Sequence, residues 1–248
     1  MKPFIYICST MKSGSTLLLE LLSKGDKSLI LCEPRFKGKK FKLNKQMIEQ
    51  ANKIGYTGPH EGDISFIVCE LCKHVEQVGV KEIRNKGWES YVSAFNGNIR
   101  VIIPTRDYRD IYISAYNQCK RSRAWVPLYG MSPEGLKKEI FREVVVQHEI
   151  KKHAPTLEVK YEELCSDFDA KYNEILEFTE SPIKTIGEVG SMHDMLARGE
   201  YEVGLHNFDV TTKSVSRWKN ETDEKLLEDA NIFNDLMNES IEIEMNNS

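Results

Sequence analysis

The sequence predicts an α/β fold, with a central, mostly parallel β-sheet flanked by helices in three layers. Short apolar runs rich in β-forming residues alternate with longer segments of helical periodicity, and this alternation is typical of a parallel sheet covered on both faces. The 248 residues are enough for one substantial core. No linker rich in proline, glycine or serine divides the chain, so we expect a single domain over residues 1–248.

The predicted elements begin with a strand over residues 4–8, a short polar loop and a helix over residues 16–23. Ser132 is a fitting N-cap, so a later helix is expected to begin beside it and to run to Lys152. The other predicted strands are 29–32, 64–69, 99–105 and 157–161, and the other predicted helices are one that follows Asp107 to about Lys120, 168–179 and 222–237. Ligands of such sheets bind at the carboxyl ends of the strands, where we therefore looked for polar residues.

Composition and charge exclude several classes of protein. Apolar residues make up 40% and charged residues 29% of the chain, the usual balance of a soluble globular protein. The formal net charge of −4 argues against a nucleic-acid partner. No stretch approaches about eighteen apolar residues, so no membrane span is expected. The six cysteines are dilute for this length, which predicts reduced thiols and a cytoplasmic location.

Cys69, Cys72 and His74 form the nearest approach to a zinc motif in the sequence. A lone CxxC without a second pair at finger-like spacing is better explained as two thiols of a strand. No convincing cluster of aspartate and glutamate is present in the sequence either. We therefore expect no metal ion.

The first candidate site is the polar segment of residues 9–16, which we call the 9–16 loop. Gly14 permits a tight turn, hydroxyl and backbone N–H groups can surround an oxyanion, and the following helix N-terminus adds positive potential. Lys12 adds a full charge. Ser9 takes the place of the first glycine of GxxxxGK[ST], and Ser13 with Gly14 stands out of that order, so ATP with magnesium is not the natural ligand. An ordinary capped helix start is the alternative.

The second candidate site follows the predicted strand 99–105. Arg106 stands where this strand ends, and Ser114 follows eight residues later on the predicted helix. A guanidinium group matches phosphate oxygens and a nearby hydroxyl can complete the shell, so the pair could hold a second phosphate. A solvated network of arginine and aspartate at a helix start is the alternative. Two such sites at the strand ends of one sheet suggest a ligand with separated anionic groups.

Four motifs, in the same order, resemble those of the sulfotransferases that use 3′-phosphoadenosine 5′-phosphosulfate (PAPS). Residues 11–18, MKSGSTLL, resemble their 5′-phosphosulfate loop, RSGSTLL, and residues 105–114 resemble their 3′-phosphate motif, RDPRD followed by serine at the same offset. Residues 159–164 are similar to the family's RYEDL segment, and residues 216–221 to its late RWKNE loop. Lys12 replaces the usual arginine, which keeps the charge but loses the fork, and Tyr108 replaces the usual proline.

The resemblance implies a P-loop-like form of the predicted fold and a divided site for PAPS as co-substrate, with no metal ion. Arg106 and Ser114 would hold the 3′-phosphate, and the loop residues that would hold the phosphosulfate are Lys12, Ser13, Gly14, Ser15 and Thr16. Lys12 is also expected to stabilise charge that develops on the departing bisphosphate. Trp218 could stack on the adenine while Arg217 and Lys219 reach the 3′-phosphate, or Trp218 could simply anchor the core.

Glu33 is the best candidate for the general base, because it follows the second predicted strand and should lie beside the 9–16 loop. Carbohydrate and protein-tyrosine sulfotransferases, which this segment resembles most, carry a catalytic glutamate there. Arg35 is predicted to contact an anionic acceptor or to orient Glu33, and Lys81 is a second candidate on the acceptor side. The alternatives are a surface Glu33–Arg35 pair and a solvated strand lysine.

The resemblance implies transfer of a sulfuryl group to the hydroxyl of a small molecule or glycan. A sugar hydroxyl leads, ahead of a tyrosine, a lipid or a small alcohol. Two other functions compete with this one. A small-molecule or nucleotide kinase shares the strand-loop-helix opening, and a catalytically inactive sulfotransferase-like domain could bind a sulfated or phosphorylated partner.

Overall fold

A computed structural model describes residues 2–23, 27–37, 40–121, 132–183 and 215–246 of the chain. Its strands are β1 Phe4–Cys8, β2 Ser28–Cys32, β3 Arg35–Lys37, β4 Lys40–Lys42, β5 Glu61–Gly62, β6 Gln77–Glu82, β7 Ile99–Thr105 and β8 Thr156–Lys160. Its helices are α1 Ser15–Leu22, α2 Lys45–Lys53, α3 Ile64–Leu71, α4 Trp88–Ala94, α5 Tyr108–Arg121, α6 Pro133–Lys151, α7 Tyr161–Ser166, α8 Phe168–Phe178 and α9 Glu224–Asn246, and a 3₁₀ turn spans Arg217–Asn220.

The central sheet contains five strands in the order β2-β6-β1-β7-β8, and every pairing is parallel. Its register aligns the carboxyl ends of the strands. Cys8 of β1 lies opposite Glu82 of β6, and Cys32 of β2 lies opposite Lys81. Every loop that leaves these ends therefore opens on one edge of the sheet, where parallel sheets bind their ligands.

Helices cover both faces of the sheet, as the fold prediction requires. Along β1, alternate side chains point to opposite faces. Phe4, Tyr6 and Cys8 pack with residues of α2, α3 and α4, whereas Ile5 and Ile7 pack with residues of α1 and α8. A further cluster fills the space between α5, α6 and α9. The predicted three-layer α/β fold is confirmed.

Most predicted elements are confirmed within one or two residues. The predicted strands 4–8, 29–32, 99–105 and 157–161 are β1, β2, β7 and β8. The helix expected beside Ser132 is α6, and the Ser132 hydroxyl accepts a hydrogen bond from the N–H of Gly135 at 3.0 Å. Serine at this position satisfies an N–H group that has no partner within the helix.

The predicted strand 64–69 is wrong, because these residues belong to helix α3. Asp63 caps the helix by accepting hydrogen bonds from the N–H groups of Ser65 and Phe66, at 2.9 and 3.3 Å. The buried residues of α3 recur with helical spacing, and they are Ile64, Ile67, Val68 and Leu71. Cys69 therefore lies in a helix and Cys72 is its C-cap, so the two are not strand thiols.

The strand that occupies the sheet between β2 and β1 is β6. A small antiparallel sheet with the order β3-β4-β5 was not predicted at all. Its first strand starts two residues after Glu33, and Phe36 and Phe41 pack against each other with ring centroids 5.8 Å apart. Within the described residues, no helix is both long and apolar enough to cross a membrane.

Candidate functional site

The 9–16 loop leaves the carboxyl end of β1 and leads directly into α1. Ser9 anchors its start, because the N–H and the hydroxyl of Ser9 both donate to the carbonyl oxygen of Glu82, at 3.0 and 2.6 Å. Ser13 is fully buried, and its hydroxyl donates to the carbonyl of Thr10 at 2.8 Å. These bonds hold the loop against the end of β6 and give it a defined shape.

Gly14 is the N-cap of α1 and adopts a left-handed conformation with φ of 93°. It has no side chain to cap the helix, and its carbonyl accepts hydrogen bonds from the N–H groups of Leu17 and Leu18 at 3.0 and 3.3 Å. A Cβ atom at this position would lie 2.4 Å from Cδ2 of Tyr161. Both the backbone angle and the packed ring therefore require glycine here.

Lys12 also adopts a left-handed conformation, with φ of 61°, and its ammonium group donates to the side-chain oxygen of Gln118 on α5. The residue is half-buried. Burial, and after it the positive charge of Arg106, lowers the pKa of Lys12 to about 8. A bound anion near Lys12 would favour its ammonium form and raise this pKa again.

Arg106 joins the two candidate anion sites. It follows β7, and its guanidinium donates to the carbonyl of Lys12 at 3.1 Å and to the carboxylate of Asp110 at 3.3 Å. The guanidinium carbon also lies 4.7 Å above the centre of the Tyr161 ring. Ser114 lies on α5 two turns further on and is half-buried. The buried guanidinium of Arg106 thus ties the 9–16 loop to the second candidate site.

The segment 159–164, at the end of the neighbouring strand β8, packs against both the 9–16 loop and the start of α5. Tyr161 is the first residue of α7, and its ring covers Gly14 on one side while it stacks on Arg106. Glu162 accepts a hydrogen bond from the N–H of Asp107 at 3.0 Å, at the start of α5. These contacts explain why a tyrosine and a glutamate follow β8.

Glu33 and Lys81 form an ion pair at the ends of β2 and β6. The N–H of Glu33 donates to the carbonyl of Lys81 at 2.8 Å, and the ammonium group of Lys81 donates to the Glu33 carboxylate. The Lys81 side chain is 5% exposed, whereas that of Glu33 is 39% exposed. Lys81 is therefore not a solvated strand residue. It lies beneath a carboxylate that faces solvent.

The charge of Lys81 is stabilised by its neighbours. Burial by itself lowers the pKa of Lys81, but Cys32 and the Glu33 carboxylate outweigh it, and the pKa is raised above its usual range. The sulfur of Cys32 lies 3.7 Å from the ammonium nitrogen. The ammonium form therefore persists at neutral pH beside Glu33.

The segment 216–221, which we call the late loop, contacts the second candidate site through Trp218. The N–H of Trp218 donates to the buried carboxylate of Asp110 at 2.9 Å, and the Arg109 guanidinium stacks 3.7 Å above the indole ring. The indole also packs on the cluster between α5, α6 and α9. Arg217 and Lys219 are exposed on either side of it.

Comparison with known proteins places this site in a family. The family model for the sulfotransferase domain matches residues 2–234. The chain belongs to the sulfotransferase family. The family resemblance inferred from the four motifs is therefore confirmed. A search of curated proteins finds no significant match in sequence.

Solved sulfotransferases share the fold of this protein. The sulfotransferase domain from the Synechococcus PCC 7002 olefin synthase is 15% identical, with 93% of this chain and 94% of that domain aligned and a TM-score of 0.61. The sulfotransferase domain from the curacin biosynthetic pathway is 13% identical, with 92% and 89% aligned and a TM-score of 0.51. At these identities the likeness shows the fold alone.

In this sulfotransferase, the predicted donor-binding residues Lys12, Gly14, Arg106 and Ser114 lie at one edge of the sheet. Ser15 and Thr16 open α1, with Ser15 buried. Arg35 is the first residue of β3 and lies opposite Lys42, but its side chain is outside the described part of the structure. Within the residues that are described, no group of three His, Cys, Asp or Glu side chains could hold a metal ion.

Three residues of the site were missed by the sequence interpretation. Gln118 accepts a hydrogen bond from Lys12. Asp110 accepts hydrogen bonds from Arg106 and from the N–H of Trp218. Arg109 stacks on the Trp218 ring. A signal for two of them was present, because Asp110, Ser114 and Gln118 are spaced by four residues and so share one face of α5. Arg109 matches the second arginine of the RDPRD motif, but its partner Trp218 could not be predicted, since it lies more than a hundred residues away in sequence.

Proposed function

We propose that this sulfotransferase moves the sulfuryl group of PAPS to an acceptor hydroxyl and releases 3′-phosphoadenosine 5′-phosphate (PAP). The observation that carries the proposal is the hydrogen bond from Arg106 to the carbonyl of Lys12, at 3.1 Å. It joins a loop suited to a phosphosulfate to an arginine suited to a 3′-phosphate. A donor with anionic groups at two separate positions fits this arrangement. A nucleoside triphosphate does not, because all of its phosphates are linked in a single row at the 5′ position.

In the proposed complex, the 9–16 loop holds the 5′-phosphosulfate. Lys12 supplies the charge, the N-terminal N–H groups of α1 supply hydrogen-bond donors, and Gly14 lets the backbone approach. Ser13 contributes by fixing the loop through its bond to Thr10. Arg106 and Ser114 hold the 3′-phosphate. Arg217 and Lys219 extend the positive charge at that end.

Glu33 is the proposed general base. The acceptor oxygen attacks sulfur in line with the bond to the departing phosphate, so that one S–O bond forms as the other breaks. The hydroxyl proton passes to Glu33, and Lys12 stabilises the charge that develops on the phosphate oxygen of PAP. Lys81, predicted on the acceptor side, lies beneath Glu33 and donates to its carboxylate, so we propose that Lys81 holds the carboxylate in place.

The proposed acceptor is a carbohydrate hydroxyl. This rests on the Glu33-Pro34 segment, which resembles that of carbohydrate sulfotransferases, and on the exposure of Glu33 to solvent. Arg35, two residues later, is the proposed contact for an anionic group of the acceptor. We also propose a cytoplasmic location, supported by the six cysteines, all of which are free thiols.

The donor assignment is tested by thermal-shift measurements on the whole chain. PAP is expected to raise the melting temperature in the presence of a metal chelator, because the proposed site uses only side chains and backbone N–H groups. Adenosine without phosphates serves as the control for non-specific binding. Stabilisation by ATP that depends on magnesium, with none by PAP, would favour a kinase instead.

A further inference from the structure

We infer that Asn85 is a positioning residue that fixes the start of the 9–16 loop and thereby sets the geometry of donor binding. The inference rests on the proposed function, since it concerns the same donor site. Asn85 lies three residues beyond the end of β6 and is 0% exposed. No motif in the sequence points to it.

The side chain of Asn85 uses both of its polar atoms in hydrogen bonds. Its amide nitrogen donates to the carbonyl of Ser9 at 3.0 Å and to the carboxylate of Glu143 at 2.8 Å. Its amide oxygen accepts from the hydroxyl of Tyr6 at 2.7 Å. The backbone N–H of Asn85 also donates to Glu143, at 2.8 Å. An asparagine amide has two N–H donors and one oxygen acceptor, so this set fixes its orientation.

These bonds act on the loop through Ser9, its first residue. The N–H and hydroxyl of Ser9 are held by Glu82, and its carbonyl is held by Asn85. The peptide group that follows Ser9 is therefore fixed in direction. The loop beyond it is short and enters α1 at Ser15, so a rotation at Ser9 would carry to the N–H groups proposed to meet the phosphosulfate.

Helix α6 supplies the outer half of this network. Glu143 and Gln147 lie one turn apart on α6, and Gln147 donates to the carbonyl of Cys8 at 3.0 Å, at the end of β1. The charge of Glu143 is balanced by Arg142, whose guanidinium lies 2.8 Å from its other oxygen. Glu143 and Asn85 are buried, and apolar side chains of similar size would avoid this desolvation. The hydrogen bonds between Asn85, Glu143 and the Ser9 carbonyl instead fix one orientation of the Asn85 amide.

Gln77 offers a matched control at the opposite end of the same strand. It is 1% exposed, and its amide nitrogen donates to the carbonyls of Pro3 and Thr179, at 3.2 and 2.7 Å. Gln77 opens β6 at its amino end, far from the loops at the carboxyl edge. Loss of either buried amide should cost stability, but only the loss of Asn85 should disturb the donor site.

The test compares Asn85→Leu with Gln77→Leu in the full chain, below the melting temperature of both. We expect PAP affinity, measured by calorimetry, to fall between about tenfold and about a hundredfold for Asn85→Leu, because a small misplacement of loop N–H groups is costly. For Gln77→Leu it should stay within about twofold of the parent. Equal affinity in Asn85→Leu and the parent, or an equal loss in both variants, would overturn the inference.

A second variant keeps the test valid if Asn85→Leu does not fold. Tyr6→Phe removes only the hydroxyl that fixes the Asn85 oxygen and keeps the ring, which packs 4.8 Å from that of Tyr91. It should weaken PAP binding by about threefold or more, and unchanged affinity counts against the role of Asn85. Failure of the proposed function is distinct, because the parent protein itself would then not bind PAP.

Discussion

Lys12 is the residue at which this protein departs from the arginine of the family's phosphosulfate motif. An arginine keeps its charge at every accessible pH, whereas a lysine can lose it. Burial and the neighbouring Arg106 lower the pKa of Lys12 to about 8. The lysine therefore introduces a titration into the proposed donor site within reach of physiological pH.

The affinity for PAP should consequently fall at alkaline pH. Below pH 8 Lys12 is an ammonium ion and attracts the phosphate, and as the pH rises through the pKa of the free protein the charge is lost. Well above that pKa, affinity should fall by up to about tenfold per pH unit, until the pKa of the bound state is reached. Calorimetry of PAP binding from about pH 7 to about pH 10 measures this slope.

Lys12→Arg is the control for this titration. An arginine does not lose its charge in this pH range, so the affinity of the Lys12→Arg variant for PAP should change little with pH. Cys119 lies close enough to interact with Lys12, and burial raises the pKa of this thiol, so Cys119→Ser tests whether it contributes. An equal alkaline fall in the parent and in Lys12→Arg would show that Lys12 is not the titrating group.

At the scale of elements, the sequence predicts those helices and strands that local residue patterns determine. The strands β1, β7 and β8 and the helix α6 were found because their apolar runs and caps are local signals. The segment 64–69 was misassigned because a short apolar run of β-branched residues fits a strand and a helix alike. The Asp63 cap, which decides in favour of the helix, was overlooked. Strand β6 is absent from the predicted strands because it carries Lys81 and Glu82, whose burial depends on partners distant in sequence.

The junction between the 9–16 loop and α1 makes Gly14→Ala a sharp test at this scale. The variant combines a left-handed backbone with a clash against Tyr161, so it should lose about 2 to about 4 kcal/mol of unfolding free energy and weaken PAP binding. Gly97→Ala is the control, since Gly97 has φ of 76° but no atom within 4 Å of its added Cβ.

Urea unfolding of both variants separates the cost of backbone strain from the cost of the clash with Tyr161. Gly97→Ala should lose about 1 to about 2 kcal/mol from backbone strain alone. The excess in Gly14→Ala then reports the contact with Tyr161. If the two variants lose the same free energy, the ring does not pack tightly on Gly14.

At the scale of the whole molecule, the parallel sheet brings four motifs from distant parts of the chain to one edge. The sequence could predict that Lys12, Glu33, Arg106 and Ser114 would lie along that edge, because each follows a strand or lies on the helix after it. It could not predict that β6 separates the strand before Glu33 from the strand before Lys12. It could not predict that Lys81 lies beneath Glu33 or that Asp110 ties Arg106 to Trp218. Those contacts depend on the order of strands in the sheet and on the packing of α5, which no local pattern contains.

The proposed division of the donor site between the 9–16 loop and Arg106 predicts a preference for a 3′-phosphate. The parent should bind PAP more tightly than AMP, by a factor of roughly ten to a hundred, because charged hydrogen bonds to phosphate contribute about 1.5 to about 3 kcal/mol. In Arg106→Ala most of this preference should be lost, because Arg106 is the main proposed contact for the 3′-phosphate. Ser114→Ala leaves the Arg106 contacts intact and should reduce the preference only in part. An undiminished preference in Arg106→Ala would place the 3′-phosphate elsewhere.

The central claim, that this chain transfers a sulfuryl group with Glu33 as base, is tested most directly by labelled PAPS. The parent and Glu33→Gln are each incubated with a panel of sugars, peptides and lipids, and the products are read by mass. The account predicts a sulfated sugar and an equal amount of PAP from the parent. It predicts at least about a hundredfold less from Glu33→Gln, with PAP affinity unchanged. Near-normal turnover by Glu33→Gln, or PAP binding by the parent without transfer to any acceptor, would contradict it.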